Sequence, residues 1–283
     1  MARPVNIACL QTSPMPDFAL ALDEALELGG RAVQVGAEIL MLPEYCGGLT
    51  SDGPMFTPPA EPEDQHPVLA GLVAFAREHR VWLLIGSLAI RKADGGIANR
   101  SFILNDAGEI VSRYDKIHMF DIDLSETVSY RESDTISPGS EVVLVETPFG
   151  TMGHSICYDL RFPQLYRDLA LGGAEILLVP AAFTRKTGEA HWHILNRARA
   201  IENGSFVVAP CAVGAVQGGG ESYGHSLIIG PWGDVRADGG TLRGVVHATI
   251  DLDEIAQSRQ RIPSLFNGRD YAVQSRGPKR AIA

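Results

Sequence analysis

The sequence predicts an α/β protein with mixed sheets, on three observations. Short apolar runs alternate with amphipathic stretches of helical spacing, and several apolar runs are joined by tight turn signals instead of helices. No Ser/Pro/Gly-rich linker and no internal repeat divides the chain. Alternating strands and helices imply parallel pairs, whereas closely spaced strands imply hairpins, so both kinds of pairing are expected.

The elements follow in order. VNIACLQ (5–11) is a first strand, and Asp17 to Val35 has the apolar spacing of a helix. EILML (38–42) and VWLLIGSLAI (81–90) are continuous apolar runs typical of buried strands, separated by a helix near 67–79. RSFILND and EIVSRY flank the turn signal Ala107-Gly108 and predict an antiparallel pair. EVVLVETPFGTMGHSIC predicts two strands around Pro148-Phe149-Gly150. A helix at 163–171 follows, with Pro163 suited to its first turn. Next come the strand EILLVPAA, a helix at 188–203 and the strand FVVAPCAV. QGGGESYG (217–224) reads as a flexible loop, HSLIIGPWGDVRA as a hairpin around Pro231-Trp232-Gly233, GVVHATID as a strand, and 253–261 as a short helix. The expectation is one domain over 1–283, with a core from about 4 to 255 and a C-terminal tail at 256–283.

Composition narrows the function. With 283 residues, 45% of them hydrophobic and 20% charged, the chain has ordinary globular composition and material for a large core. A net charge of −10 argues against a nucleic-acid partner. It also argues against long-range steering of an anionic substrate, although a local cationic pocket remains able to hold one. No apolar stretch has the length of a membrane span, and MARPVNIACLQ reads as a strand instead of a signal peptide. Cys9, Cys46, Cys157 and Cys211 lack paired spacing, which suggests neither a disulfide framework nor a zinc knuckle, so a cytoplasmic protein is expected.

Three reactive side chains directly follow apolar strand-like runs: Glu44 after EILMLP, Lys116 after EIVSRYD and Cys157 after TMGHSI. Catalytic groups gather at the carboxyl ends of strands in α/β sheets because the loops there converge. Taken alone, Cys157 has two readings, a buried inert thiol or a nucleophile at a strand-to-helix turn. A helix opening at Pro163 favours the second, since its dipole would favour a thiolate. Cys9 and Cys211 lie within strand-like runs and read as core, and Cys46 as a neighbour of the site. His154, three residues upstream along a strand, should point away from the Cys157 face. The histidines of HWH (191–193) are two apart and on a helix would face different sides, so they read as packing or surface residues instead of a metal pair. GHSL (224–227) lacks the final glycine of a serine-hydrolase elbow. With Glu44 to accept a proton and Lys116 to stabilise an oxyanion, Cys157 completes a coherent hydrolytic set.

MLPEYCGG, YDKIHMFDID, YRESDTISPG, GHSICYDLRFPQL and AHWHILNRARAIEN, in that order, resemble the signature blocks of the nitrilase superfamily of carbon–nitrogen hydrolases. They are most similar to its nitrilase-like (Nit) amidase branch, which includes omega-amidase and deaminated glutathione amidase. The resemblance runs from the first strand through GHSLIIGPWGDV to IDLDEI. It implies a four-layer α-β-β-α sandwich that pairs into a homodimer or a higher homo-oligomer, and a cysteine-dependent amidase. Such an enzyme hydrolyses the C–N bond of a small carboxylated amide to a carboxylate and ammonia or amine, without cofactor or metal. By resemblance Glu44 is the general base, Lys116 the catalytic lysine and Cys157 the nucleophile. Glu132 positions the lysine, and the Tyr158 N–H contacts the oxyanion. Arg161 is expected to pair with a carboxylate beneath the nucleophile turn. The loop after EILLVPAA makes Phe183, Thr184 and Arg185 candidate substrate contacts, with Arg185 and Lys186 more basic than the pattern of the named amidases. A nitrilase or N-carbamoyl amidohydrolase with the same Glu-Lys-Cys set is the alternative, and a non-catalytic scaffold the alternative of another class. Tyrosine, where those relatives tend to carry tryptophan after the nucleophile, favours the amidase.

Overall fold

Alternation along the first strand, β1 (Pro4–Gln11), sets the layering. Ile7 and Cys9 enter one apolar cluster with Ile176, Leu178 and Phe206, while Ala8 and Leu10 enter another with Leu28, Leu72 and Phe75. Both faces of the strand are covered, which is why its sequence is apolar throughout.

The computed structural model describes residues 2–53, 55–125 and 128–274. After β1 come α1 (Phe18–Gln34), β2 (Ile39–Met41), α2 (Pro67–His79), β3 (Trp82–Arg91), β4 (Ile97–Leu104) and β5 (Ile110–Asp115). The second half holds β6 (Leu144–Thr147), β7 (Gly150–Gly153), α3 (Pro163–Leu171), β8 (Ile176–Leu178), α4 (Arg185–Asn203) and β9 (Phe206–Ala209). The chain closes with β10 (Leu227–Ile229), β11 (Val235–Asp238), β12 (Gly244–Asp251) and α5 (Asp253–Arg261).

One sheet has the order β12-β1-β2-β3-β4-β5, with Ala60–Glu61 also pairing to β3. The other has the order β6-β7-β8-β9-β10-β11. In each, the strands joined through helices are parallel, and those joined by tight turns are antiparallel. The sheets pack face to face through Ile7, Met41, Leu84, Leu178, Val208 and Ile228. α1 and α2 cover the outer face of the first sheet, and α3 and α4 that of the second, giving an α-β-β-α sandwich.

Helix ends follow local chemistry. The Asp17 carboxylate accepts the Leu20 N–H at 2.9 Å and opens α1. α4 starts at Arg185, three residues before the expected 188, because Thr184 flanks it and shares a 2.8 Å hydroxyl contact with Thr187. Three expectations change. EILLVPAA leaves the sheet after Leu178, since Pro180 has no N–H for a ladder. Within 217–224, Glu221–Tyr223 pairs antiparallel with Val213–Ala215. The boundary expected near 255 falls inside α5, where Ile255 packs into the cluster between the sheets, so the body of the fold continues through that helix. Residues 275–283 of the expected tail lie outside the described residues.

Candidate active site

Each reactive side chain stands just past a strand end. Glu44 follows β2, Lys116 follows β5, and Cys157 lies four residues beyond β7. The turn carrying Glu44 presses against β3 at Gly86, where a Cβ would lie 2.1 Å from the Leu42 carbonyl oxygen, so only glycine fits. Tyr45 and Cys157 both have left-handed backbones, with φ of 52° and 46°. Each is held there by a neighbour: Tyr45 N–H donates to Ser87 Oγ at 2.9 Å, and Cys157 N–H donates to Pro180 O at 2.9 Å. Strained non-glycine residues of this kind are kept where surrounding contacts over-determine them, commonly at functional sites.

The side chains meet in a dry cluster. Lys116 Nζ donates to Glu44 Oε1 at 2.9 Å and to Glu132 Oε2 and Oε1 at 2.8 and 3.0 Å, and all three residues are buried. Asn99 Nδ2 donates to Glu44 at 2.9 Å and to Glu132 at 3.3 Å. Glu132 also accepts the Tyr45 hydroxyl at 2.9 Å and the Phe120 N–H at 2.7 Å, while Glu44 Oε2 accepts the Ala182 N–H at 2.9 Å. Burial alone would lower the Lys116 pKa, but Glu132 and Glu44 reverse this and hold the ammonium charged well above its ordinary range. Burial, reinforced by Glu44, pushes the Cys157 thiol well up against the opposing pull of Lys116.

Burial and Glu44 both disfavour a thiolate at rest. Two carboxylates against one ammonium already leave the cluster with a net negative charge, and a thiolate would add to it. Passing the proton from sulfur to Glu44 keeps that charge constant. The helix expected from sequence to act on the sulfur through its dipole does not begin beside it, because α3 begins only at Pro163 and Cys157 opens a separate 3-10 turn, Cys157–Arg161.

The same cleft is lined by Phe56, Phe120, Tyr158, Phe183, Thr184 and Thr187. The Tyr158 N–H, one residue past the sulfur, takes no acceptor among the described residues. Glu132 sits in a short 3-10 turn with its side chain buried, not in a solvated charge cluster.

Arg185 lies elsewhere: it is exposed and held by Glu189 and Glu221, at 3.0 Å each, so its charge is already compensated outside the cleft. Arg161 has no carboxylate partner among the described residues, contrary to expectation. Its guanidinium lies over the Tyr158 and Phe183 rings, with the carbon 5.8 and 5.4 Å from their centroids. The carboxylate beneath the turn is Asp159, which takes Tyr114, His118 and the Ile156 N–H instead.

Of the remaining sequence candidates, His154 is buried against the Ser101 and Ser112 hydroxyls. Cys46 is buried, its thiol contacts the Ser87 carbonyl, and burial pushes it up to about 12. His191 and His193 face different sides, one toward Arg161 and the other toward Asp238. Asn99 and Asp159 escaped sequence reasoning, as did the role of Tyr45. Tyr45 adjoins Glu44 in LPEY and could have been found by adjacency, whereas IANRS around Asn99 carries no signal.

A family model described as carbon-nitrogen hydrolase matches residues 6–260. The chain is 38% identical over 270 residues to a deaminated glutathione amidase of Synechocystis, covering 93% of this chain and 97% of that protein. It is 35% identical over 251 residues to human omega-amidase NIT2, covering 87% and 89%. Among solved structures, the NitFhit protein of C. elegans superposes with a TM-score of 0.86 at 32% identity, over 95% of this chain and 66% of the longer NitFhit chain. Nit3 of Saccharomyces cerevisiae superposes with a TM-score of 0.81 at 28% identity, over 92% of this chain and 95% of that one.

Proposed function

Because the chain belongs to the carbon–nitrogen hydrolase family, we propose that Cys157, Glu44 and Lys116 carry out amide hydrolysis through a thioester. The observation that carries this reading is the Lys116 ammonium, clamped between Glu44 and Glu132 in the cleft that holds the Cys157 thiol.

Glu44 takes the thiol proton as sulfur attacks the amide carbon. The oxyanion draws on the Lys116 charge and the Tyr158 N–H, both set in place before the reaction begins. Collapse breaks the C–N bond, Glu44 returns its proton to the leaving nitrogen, and ammonia or an amine departs. Glu44 then removes a proton from water, which attacks the thioester, and the carboxylic product leaves with the thiol restored. Glu132 holds Lys116 throughout, so the ammonium stays aimed at the carbonyl and cannot follow Glu44 as that residue changes protonation.

The enzyme is an amidase acting on a non-peptide C–N bond of a small amide, as its relatives' names indicate. We assign the substrate carboxylate to Arg161, whose guanidinium stands over two rings that line the cleft and has no competing carboxylate among the described residues. Two coarser features belong to the same reading. Four free, buried cysteines suit a reducing cytoplasm. Leu171, Ile194 and Ile201 expose apolar side chains on the adjacent helices α3 and α4, which suits a face that meets a second copy of the chain.

The test is ammonia release from a panel of omega-amides of dicarboxylic acids, neutral amides, nitriles and ureido acids, alongside Cys157→Ala. Turnover of amides that disappears in Cys157→Ala is expected. Preference for nitriles or ureido acids would move the enzyme to another branch, and turnover unaffected by Cys157→Ala would remove the mechanism.

A further inference from the structure

Among the described residues, four non-glycine residues have left-handed backbones: Tyr45, Arg80, Cys157 and His225. Tyr45 and Cys157 serve the active site, and Arg80 ends α2 as its C-cap. His225 takes no part in the reaction, yet its φ of 52° is fixed on both sides. Its N–H donates to Gly240 O at 2.7 Å, and its carbonyl accepts Trp192 Nε1 at 2.8 Å. Strain held this firmly aims the imidazole at one place.

That place is the Asp238 carboxylate, at the end of β11. His225 Nδ1 lies 2.8 Å from Asp238 Oδ1, and His193 Nε2, from α4, lies 3.0 Å from Oδ2. One ligand atom from each of the three residues falls within 4.8 Å of the others. Ligands of a tetrahedral zinc ion, at about 2.0–2.2 Å from the metal, stand roughly 3.3 Å apart, and each imidazole already lies near that distance from one of the two Asp238 oxygens. Gly240 N–H donates to Asp238 Oδ1 at 2.8 Å and orients the carboxylate, as outer partners of metal ligands do. The Tyr223 ring stacks on His225 with centroids 4.6 Å apart and fixes its plane. All three side chains are partly exposed, and His225 borders a surface cavity of about 440 Å³ that Glu189 and Thr241 also line.

We propose that His193, His225 and Asp238 form a binding site for one zinc-class divalent cation. Two imidazoles and one carboxylate suit zinc, cobalt or nickel and disfavour magnesium or calcium, which take oxygen sets. Three protein ligands would leave a fourth position for water. The bound ion would clip α4 to the β10–β11 hairpin, stabilising the fold by mass action and taking no part in amide hydrolysis.

The experiment is calorimetric zinc titration of the untagged full-length chain carrying Cys157→Ala, which removes the active-site thiol as a competing ligand. One equivalent should bind saturably and raise Tm, and cobalt should give the visible spectrum of a tetrahedral site. His193→Gln on the helix surface, and His225→Asn, which tolerates the left-handed backbone, should each weaken binding at least about tenfold. Both should keep the metal-free Tm near that of the parent. Absence of saturable binding in the parent, or undiminished binding in both variants, would overturn the site.

Discussion

The Asp159 carboxylate, two residues past Cys157, accepts His118 Nδ1 at 2.7 Å, two residues past Lys116. The same carboxylate takes the His118 and Ile156 N–H groups at 3.0 and 2.8 Å and the Tyr114 hydroxyl at 2.7 Å. One fully buried side chain thereby fixes the nucleophile turn against the segment that carries the lysine. Asp159→Asn keeps the shape but loses the charge and one acceptor. Since misplacing reacting groups by about 1 Å costs about a hundredfold, kcat should fall by about that factor with KM little changed. Steady-state kinetics checks this, and a variant with wild-type kcat would show that the bridge does not position the site.

Cys157→Ala should abolish turnover, whereas Cys46→Ala should keep most of it, because the Cys46 thiol contacts the Ser87 carbonyl and packs in the core beneath the first sheet's helices. The resting Cys157 thiol and the Lys116 ammonium lose their protons only above their ordinary 9.0 and 10.5. The alkaline limb of kcat/KM should therefore be absent below about pH 9. An alkaline limb near neutrality would point to a different acid.

A quenched reaction of Glu132→Gln should carry a thioester on the peptide containing Cys157. Weakening the hold on Lys116 slows both steps, and water attack depends on the same ammonium. Intact-mass and peptide-mass spectrometry read the adduct. An acyl group on any other residue would overturn the assignment of the nucleophile.

Arg161→Ala should raise KM for omega-amides of dicarboxylic acids and leave neutral amides nearly unchanged. Loss of one charged hydrogen bond costs about 1.5–3 kcal/mol, or about one to two decades in kcat/KM. Arg185→Ala should change neither, since Glu189 and Glu221 already occupy that guanidinium outside the cleft. The reverse ranking of the two variants would return the substrate carboxylate to Arg185.

Acid should weaken the fold through two neutral histidines. Burial lowers His66 to about 4 and His154 to about 3, from an ordinary 6.5. Both are uncharged in the folded chain at neutral pH, and the unfolded chain binds their protons first as pH falls. Stability therefore decreases as pH drops below about 6.5 and continues to fall toward the folded values. Thermal melts from pH 7.5 to 4.5 should show Tm declining throughout the lower part, and a flat Tm there would refute the account.

Much of the candidate site was legible because its polar groups obey a local rule. Glu44, Lys116 and Cys157 each follow an apolar run directly, and strand ends converge whatever the details of packing. Helix and hairpin positions were legible for the same reason, since period and turn chemistry act over a few residues. Arg161 and Arg185 show the limit of that logic. Arg161 closes the 3-10 turn after the nucleophile and Arg185 opens α4, but only the contacts each finds in space, two rings for one and two carboxylates for the other, decide which lacks a carboxylate partner among the described residues.

The sequence by itself determined the α/β class, the order of the main elements and which polar side chains stand just past strand ends, because each depends on neighbours along the chain. Tertiary structure alone decided that Asn99 bridges Glu44 and Glu132, that Ala182 orients Glu44 from 138 positions away, and that burial and Glu44 push the Cys157 thiol up. These features arise from burial and from charges brought within hydrogen-bonding distance only when the two sheets close on each other. Coulomb energy and desolvation depend on distance in space, which spacing along a chain does not specify.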